Sequence, residues 1–356
     1  MNEIEELGLG TIGVAAISGI EISEELLKKA EPKFIISQLF KKVNIPEGYG
    51  WIKVPKVPTA ALTVEVNLSE GSTISESSYS YNANTVSARK MGLYIPINNE
   101  SLEYSAKPLL DELLDEVSTA LAKAQELRAM TIALDIRSTL VTEADIDASG
   151  TTLATTNVPV LQVISSTFNT GTLDAIDYSD GKFRISDSIT TGTVTFLYSN
   201  MAKNSGQYKS VAGIGTLTVK DILNLAGDLA KNSLSPDVVL INDQDIPDVL
   251  YDASGSAIFL HERAYTDKSN FLSGEIGMLA HLKLLSSALI PQGIAIVADS
   301  KRLGYNCIRE QFRTHIEEEP GYDQTRLRVY TENDFVNADS LSVGLLCNFG
   351  SLASDL

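Results

Sequence analysis

Cysteine is almost missing from this chain: Cys307 and Cys347 are the only two in 356 residues. Two thiols in so long a chain are no disulfide framework, and the plain expectation is two small buried apolar side chains. Histidine is as scarce. His261, His281 and His315 stand apart, none at metal-ligand spacing from another or from a cysteine, so the usual zinc arrangements are excluded. Long apolar runs are absent too. The nearest, residues 7–20, is rich in glycine and alanine and preceded by Glu3, Glu5 and Glu6. It is shorter than the ~18–20 residues a membrane helix needs, and its acidic leader is wrong for a secretory signal. The expectation is a soluble, intracellularly made chain with no membrane partner.

Positive charge is also in deficit. The chain has 28 Lys and Arg against 46 Asp and Glu, a net charge of −18. A protein that grips nucleic acid through its phosphates needs clustered cations to displace counterions, so sequence-specific DNA or RNA binding is disfavoured. A container for nucleic acid is a different matter, because a wall that repels phosphate lets the contents move.

Motifs of catalysis are missing as well. Residues 8–13, Gly-Leu-Gly-Thr-Ile-Gly, match the dinucleotide fingerprint by letter, yet no buried strand precedes them, and the motif works only between a strand and a helix. Neither a Gly-x-Ser-x-Gly elbow nor a phosphate loop is present. Asp243, Asp245, Asp248 and Asp252 crowd one stretch and Glu317, Glu318 and Glu319 another, without the spacing and glycine of a calcium loop. No catalytic residue, cofactor or metal is expected.

What remains is pattern. Residues 1–48 alternate weak helical signals with breakers: Ser23 caps a short piece over 24–30, and Phe34, Ile35, Leu39 and Phe40 mark a second. Both are too short to fold alone, so this region reads as an arm that must lie against something. From Trp51 the period becomes two. Pro55 and Pro58 hold the first stretch extended, residues 61–68 alternate through Leu62, Val64, Val66 and Leu68, and a strand over 84–98 returns through Val86, Met91, Leu93, Ile95 and Ile97. The two halves, joined by a polar tip over 69–81, predict a hairpin of roughly 40–50 Å reach. Such a hairpin has little core of its own.

The strongest helix follows. Ser105 is its expected cap and Pro108 its first turn. Leu110, Leu113, Leu114, Val117, Leu121, Ala124, Leu127 and Ile132 recur at three and four to about residue 136, a spine of roughly 45 Å. Residues 139–215 are loaded with Thr, Ser and Gly, with short strands at 181–186 and 193–198, and read as an inserted β-rich subdomain. Order returns with a capped helix opening at Thr218, a buried strand over 236–242, a short helix over 244–251, and strands over 278–285, 293–299, 304–312, 325–331 and 341–348. Mixed helices and strands of this order define an α+β fold.

Three stretches carry a family resemblance: residues 221–230 followed by 236–245; Leu285-Ser-Ser-Ala-Leu-Ile-Pro-Gln-Gly-Ile-Ala-Ile-Val-Ala-Asp over 285–299; and residues 92–105, the return of the hairpin into the spine. In this order they resemble the major capsid proteins of tailed double-stranded DNA viruses, the Hong Kong 97-like capsid fold shared with encapsulins. The likeness covers most of residues 22–350 apart from the insert. It implies an N-terminal arm over 1–48, an extended hairpin loop over 49–98, a peripheral domain with spine helix over 99–138, the insert over 139–215, an axial domain over 216–300 and closing strands over 301–356. It further implies a homo-oligomer of hexamers and pentamers in an icosahedral shell around DNA, placed in a virion assembled in the host cytoplasm. Scaffolding, portal and decoration proteins are the partners it allows. The sequence departs from the family in carrying the insert and in having no long charged helical pre-segment, so a scaffold, where there is one, is a separate chain.

The expected inter-subunit contacts are Val64, Val66, Leu93 and Ile95 of the hairpin, laid across an adjacent subunit, with Phe34 and Phe40 of the arm. Lys53 and Lys56 near the hairpin base, and Asn337 and Asn348 near the carboxyl end, have the residue types of a lysine–asparagine cross-link, although solvated lysines are the simpler reading. Two rivals stand beside the viral shell: an encapsulin-type compartment, and, from another class, an acidic enzyme or carbohydrate-binding module carrying the β-insert.

Overall fold

The computed structural model describes residues 19–30, 33–56, 82–98, 109–142, 150–201, 207–211, 217–250, 275–319 and 324–349. Helix α1 (Gly19–Ala30) comes first, and a 3-10 turn at Ser37–Leu39 leads into β1 (Lys41–Asn44). Strands β2 (Trp51–Lys56) and β3 (Asn82–Ser87) pair antiparallel, and past Ala88 the chain runs on as β4 (Arg89–Asn98). Helix α2 (Leu109–Ala133) is the spine, 25 residues long and so roughly 38 Å. It stops short of the predicted end because Asp135 adopts φ +45° and turns the chain into a strand.

Two long strands near the carboxyl end, β16 (Gly304–Glu319) and β17 (Gln324–Asn337), form the centre of a four-stranded sheet of order β1-β16-β17-β4. One face of this sheet packs on both helices: Leu327, Val329 and Phe312 meet Leu26 and Ala30 of α1 and Leu114, Val117 and Leu121 of α2. The buried side of α2 then drifts to Ala122, Gln125, Glu126, Ala129 and Met130. Ala124 and Leu127, which the three-four pattern places on the apolar stripe, therefore face solvent, with Leu127 40% exposed.

The second sheet has six strands, β11 (Tyr208–Ser210), β18 (Val343–Cys347), β15 (Ala295–Ala298), β12 (Val238–Ile241), β14 (Leu282–Ser286) and β13 (Glu275–Leu279), in that order. Its residues alternate between two cores. Val239, Ile241, Val297 and Leu346 face α3 (Val219–Lys231), with Ile222, Leu225 and Leu229 of that helix. Val238, Leu240, Ile296, Leu345 and Cys347 face the other way. Cover on both faces explains why β12 and β18 are continuous apolar runs. The predicted cap of α3 is present as a capping box, Thr218 accepting from the Asp221 N–H and the Asp221 carboxylate accepting from the Thr218 N–H. Helices α4 (Ile246–Leu250) and α5 (Ser300–Leu303) are short connectors.

The other face is covered by the insert. Strands β5 (Ile136–Thr142), β10 (Gly192–Ser199) and β7 (Val160–Phe168) form one sheet, and β6 (Thr152–Ala154), β9 (Lys182–Ile185) and β8 (Leu173–Asp177) a second. Phe183, Phe196, Leu153, Leu161 and Ile176 are wholly buried, in the same core as Val238, Leu240 and Leu345. The insert and the six-stranded sheet thus share one hydrophobic interior, and β11, from the insert's carboxyl end, lies in that sheet parallel to β18.

Candidate assembly surfaces

The hairpin is built in a way the sequence pattern does not foresee. The period-two alternation predicts one return strand over 84–98, but the structure splits it at Ala88. Only β3 pairs with β2, in the register Trp51↔Ser87, Lys53↔Thr85 and Pro55↔Ala83. Strand β4 instead pairs with β17, Leu93 opposite Val329 and Ile95 opposite Leu327. Leu93 and Ile95 are half-buried against the subunit's own helices. Phe34 and Phe40 are 7% and 3% exposed, in the cores beneath α2 and the six-stranded sheet, Phe40 edge-on to Phe335 at 5.1 Å between ring centres. Within one subunit these four side chains are already covered in part or almost wholly by the chain's own helices and sheets. Val64 and Val66, with residues 57–81, lie outside the described residues.

Charge fixes where the hairpin leaves the body. Asp334 of β17 binds Arg128 of α2 and Arg89 at the β3–β4 break, each at 3.0 Å, so one nearly buried carboxylate ties spine, sheet and hairpin together. The Asn84 side-chain amide donates to the Asn337 carbonyl at 3.1 Å. Beneath, Ile52, Val54 and Val86 pack on Ile45 and Cys307. The opposite face of the β2–β3 ladder is bare: Trp51, Lys53, Pro55, Ala83, Thr85 and Ser87 are all exposed, Trp51 at 49%, and Tyr49 just before it at 59%.

The arm is fastened by polar groups. Lys33 donates to the Asp115 carboxylate at 3.1 Å and to the hydroxyls of Ser118 and Thr119 at 2.8 and 2.7 Å. Glu126, 2% exposed, accepts from the backbone N–H of Ile36 at 2.6 Å and of Ser37 at 3.0 Å, and from the Ser37 hydroxyl. The N–H groups at the start of a 3-10 turn have no partner within the turn, and this carboxylate supplies one. The sequence signal was a lone acidic residue on the apolar side of a helix.

A third polar cluster locks the insert to the body. Asn348, fully buried at φ +67°, accepts from the Tyr178 N–H at 2.7 Å and donates to Asp177, Ser179 and Ser210 at 3.0, 3.1 and 3.0 Å. Its side chain is fully committed, so Asn348 is no acceptor for a surface lysine. Burial raises the Asp177 carboxyl, but hydrogen bonds from Asn348, Asp180 and Ser179 outweigh it and hold the group below its ordinary 3.8. The folded chain therefore favours the carboxylate, and its contribution is complete above the ordinary value and fades as pH falls through the lower folded one. We expect Asp177→Asn to flatten the acid limb of an unfolding-midpoint-against-pH curve below about pH 4; an unchanged slope excludes Asp177 as a source of that limb. Burial pushes the neighbouring Cys347 thiol and the Tyr178 and Tyr208 phenols up to about 12, and the Cys307 thiol to about 11. Such thiols are inert at neutral pH.

Chemistry is sparse elsewhere. A cavity of about 190 Å³ between arm, spine and β16 is lined mainly by the carboxamides Gln38, Gln125, Asn306, Gln311 and Asn333, with no carboxylate, histidine or cysteine. Among the described residues no cluster of three His, Cys, Asp or Glu could hold a metal, and no helix is long and apolar enough to cross a membrane. On the exposed face of the four-stranded sheet, Tyr330 lies between the Lys90 ammonium at 3.6 Å and the stacked His315 ring at 5.7 Å, and Arg326 and Arg328 flank Tyr94.

The backbone shows what class of architecture this is. A chain from Mycobacterium phage Adephagia superposes with a TM-score of 0.53, 16% identity, and 94% of this chain and 99% of that one covered. The capsid of a native GTA particle gives 0.52 at 13% identity over 96% and 93%. The holo-SrpI encapsulin complex from Synechococcus elongatus PCC 7942 gives 0.50 at 10% identity over 88% and 86%. No family model and no curated protein matches the sequence. The chain has the Hong Kong 97-like capsid fold, α+β as the sequence pattern implies.

Proposed function

We propose that this chain is a capsid subunit that tiles with copies of itself into the hexamers and pentamers of an icosahedral shell around double-stranded DNA, without reading its sequence. The observation that carries the proposal is the likeness of 96% of this chain to 93% of a GTA capsid chain. The bare outer face of the hairpin base agrees with it, since exposed aromatic surface of that kind marks an interface. The net charge of −18 suits a wall facing packed phosphates. On this reading the subunit takes no cofactor and no catalytic role, and its place is the virion, assembled in the host cytoplasm. The likeness to an encapsulin complex supports a second reading, a compartment holding protein.

Electron micrographs of concentrated protein test the shell directly, with closed particles expected and a monomer at every concentration fatal to it. DNA inside purified particles, as opposed to a protein cargo, decides between the two readings. The hairpin tip has its own test. Removing residues 69–81 should leave soluble subunits that form no large particles, and an undiminished particle yield refutes a role for the tip across the neighbouring subunit.

A further inference from the structure

We infer that the cavity between arm, spine and β16 is a binding site for a small neutral polyhydroxylated molecule of about monosaccharide size, which would bridge the arm to the body. The inference stands apart from the shell reading. Its first support is the composition of the wall. Gln38 of the arm, Gln125 of the spine, Asn306 and Gln311 of β16 and Asn333 of β17 meet there from four separate elements, around about 190 Å³. Packing alone would fill such a seam with apolar side chains, as in the adjoining cores. Carboxamides are a costly lining unless something pairs with them, because a buried polar group without a partner gives up its hydration for nothing. The space is also far larger than the ~10–15 Å³ that one water needs.

The second support is that the wall's own bonds are incomplete. Asn333 is 3% exposed, and among the described residues nothing donates to its Oδ1. Its amide donates to the Asn306 Oδ1 at 3.4 Å, and the Gln125 amide to the Thr331 hydroxyl at 3.4 Å, both long for N–H···O bonds. The third support is what such a wall selects. A carboxamide offers donors and acceptors side by side, and a hydroxyl, which is both and rotates, answers either. Phe34 and Ile308, both buried, supply an apolar patch for a carbon skeleton. An apolar ligand leaves the amides unpaired, and an ion finds no opposite charge inside, since the one charged side chain of the lining, Lys42, is exposed. A molecule held by Gln38 on one side and Gln311 on the other ties arm to sheet next to the Glu126 contact at Ser37, which also lines the cavity.

Full-length subunits are titrated with glucose, galactose and sorbitol by isothermal calorimetry, and trypsin cleavage around residues 33–42 is followed with and without each. At least one of these probes should bind saturably and slow that cleavage severalfold. Gln311→Leu should weaken the binding about tenfold or more, the loss of a paired polar contact, while circular dichroism and the ligand-free unfolding midpoint match the parent. Gln38→Leu, on the arm side, should do the same and serves where the first variant fails to fold. No saturable binding by any of the probes overturns the site. So does equal binding in parent and variants. Cleavage slowed equally in parent and variants, without saturation, is the general exclusion of polyols from protein surfaces and overturns it as well. Tighter binding of glucuronate or glucosamine than of glucose shows that an ionic contact decides, and the neutral class falls.

Discussion

Replacing Glu126 with alanine should release the arm from the spine and lower subunit stability by about 2–6 kcal/mol, the largest single loss expected here. The basis is accounting of donors. The Glu126 carboxylate is the partner of two buried backbone N–H groups, at Ile36 and Ser37, and of the Ser37 hydroxyl. The hydroxyl rotates to find another acceptor. The amides cannot, and each buried donor left without a partner costs about 1–3 kcal/mol. Glu126→Gln keeps one acceptor oxygen but turns an NH₂ toward a donor, so about half the loss is expected. Urea unfolding of soluble subunits measures the energies. Limited proteolysis reads the location, because the alanine variant should gain cleavage around residues 33–40 before the rest of the chain is cut. Equal stability and an unchanged proteolysis pattern in the alanine variant mean that the carboxylate does not hold the arm.

The second large effect is expected at Asn348. Asn348→Ala strands the buried Tyr178 N–H and removes the bonds that the Asn348 amide donates to Asp177, Ser179 and Ser210. It also forces a Cβ-bearing residue without a compensating amide to stay at φ +67°. The strand term is about 1–3 kcal/mol and the left-handed backbone adds about 1–2 kcal/mol. Asn348→Gly separates them, since glycine adopts that conformation freely. It should recover the backbone part and none of the hydrogen bonding. Asn348→Asp should be worst of the three above pH 5, because it sets a second carboxylate against Asp177. Hydrogen exchange is the discriminating measurement: amides of β8 and β9 should lose protection ahead of those in β16 and β17. If all strands lose protection together, insert and body unfold as one unit, and Asn348 is not a local latch.

Both sites lie where pattern reading is weakest. Periodicity identifies which residues avoid water, and it did so for α3, β12, β15 and β18, whose boundaries fall within a few residues of those expected. It does not say which greasy surface covers which. Leu93 and Ile95 alternate as a strand should, and the pattern alone leads to the expectation that an adjacent subunit covers them. The sheet pairs β4 with β17, more than 220 positions away, and half-buries both side chains against the chain's own helices. Phe34 and Phe40 of the arm lie in the cores formed with the spine and the sheets of the same chain.

The composition and local pattern of this chain determined by themselves that it is α+β, carries one long helix, and runs through a Thr- and Ser-rich stretch of short strands over residues 139–215. These follow from backbone propensity and from the two periods, 2 and 3.6, which are properties of neighbouring residues. Only the tertiary structure decided that the hairpin's return strand breaks at Ala88, that the insert shares a core with the six-stranded sheet, and that Glu126, Asp334 and Asn348 are partnered across 89, 206 and 171 positions of chain. Those outcomes depend on which distant surfaces close on one another, and a buried polar group takes whatever donor or acceptor that closure brings within reach.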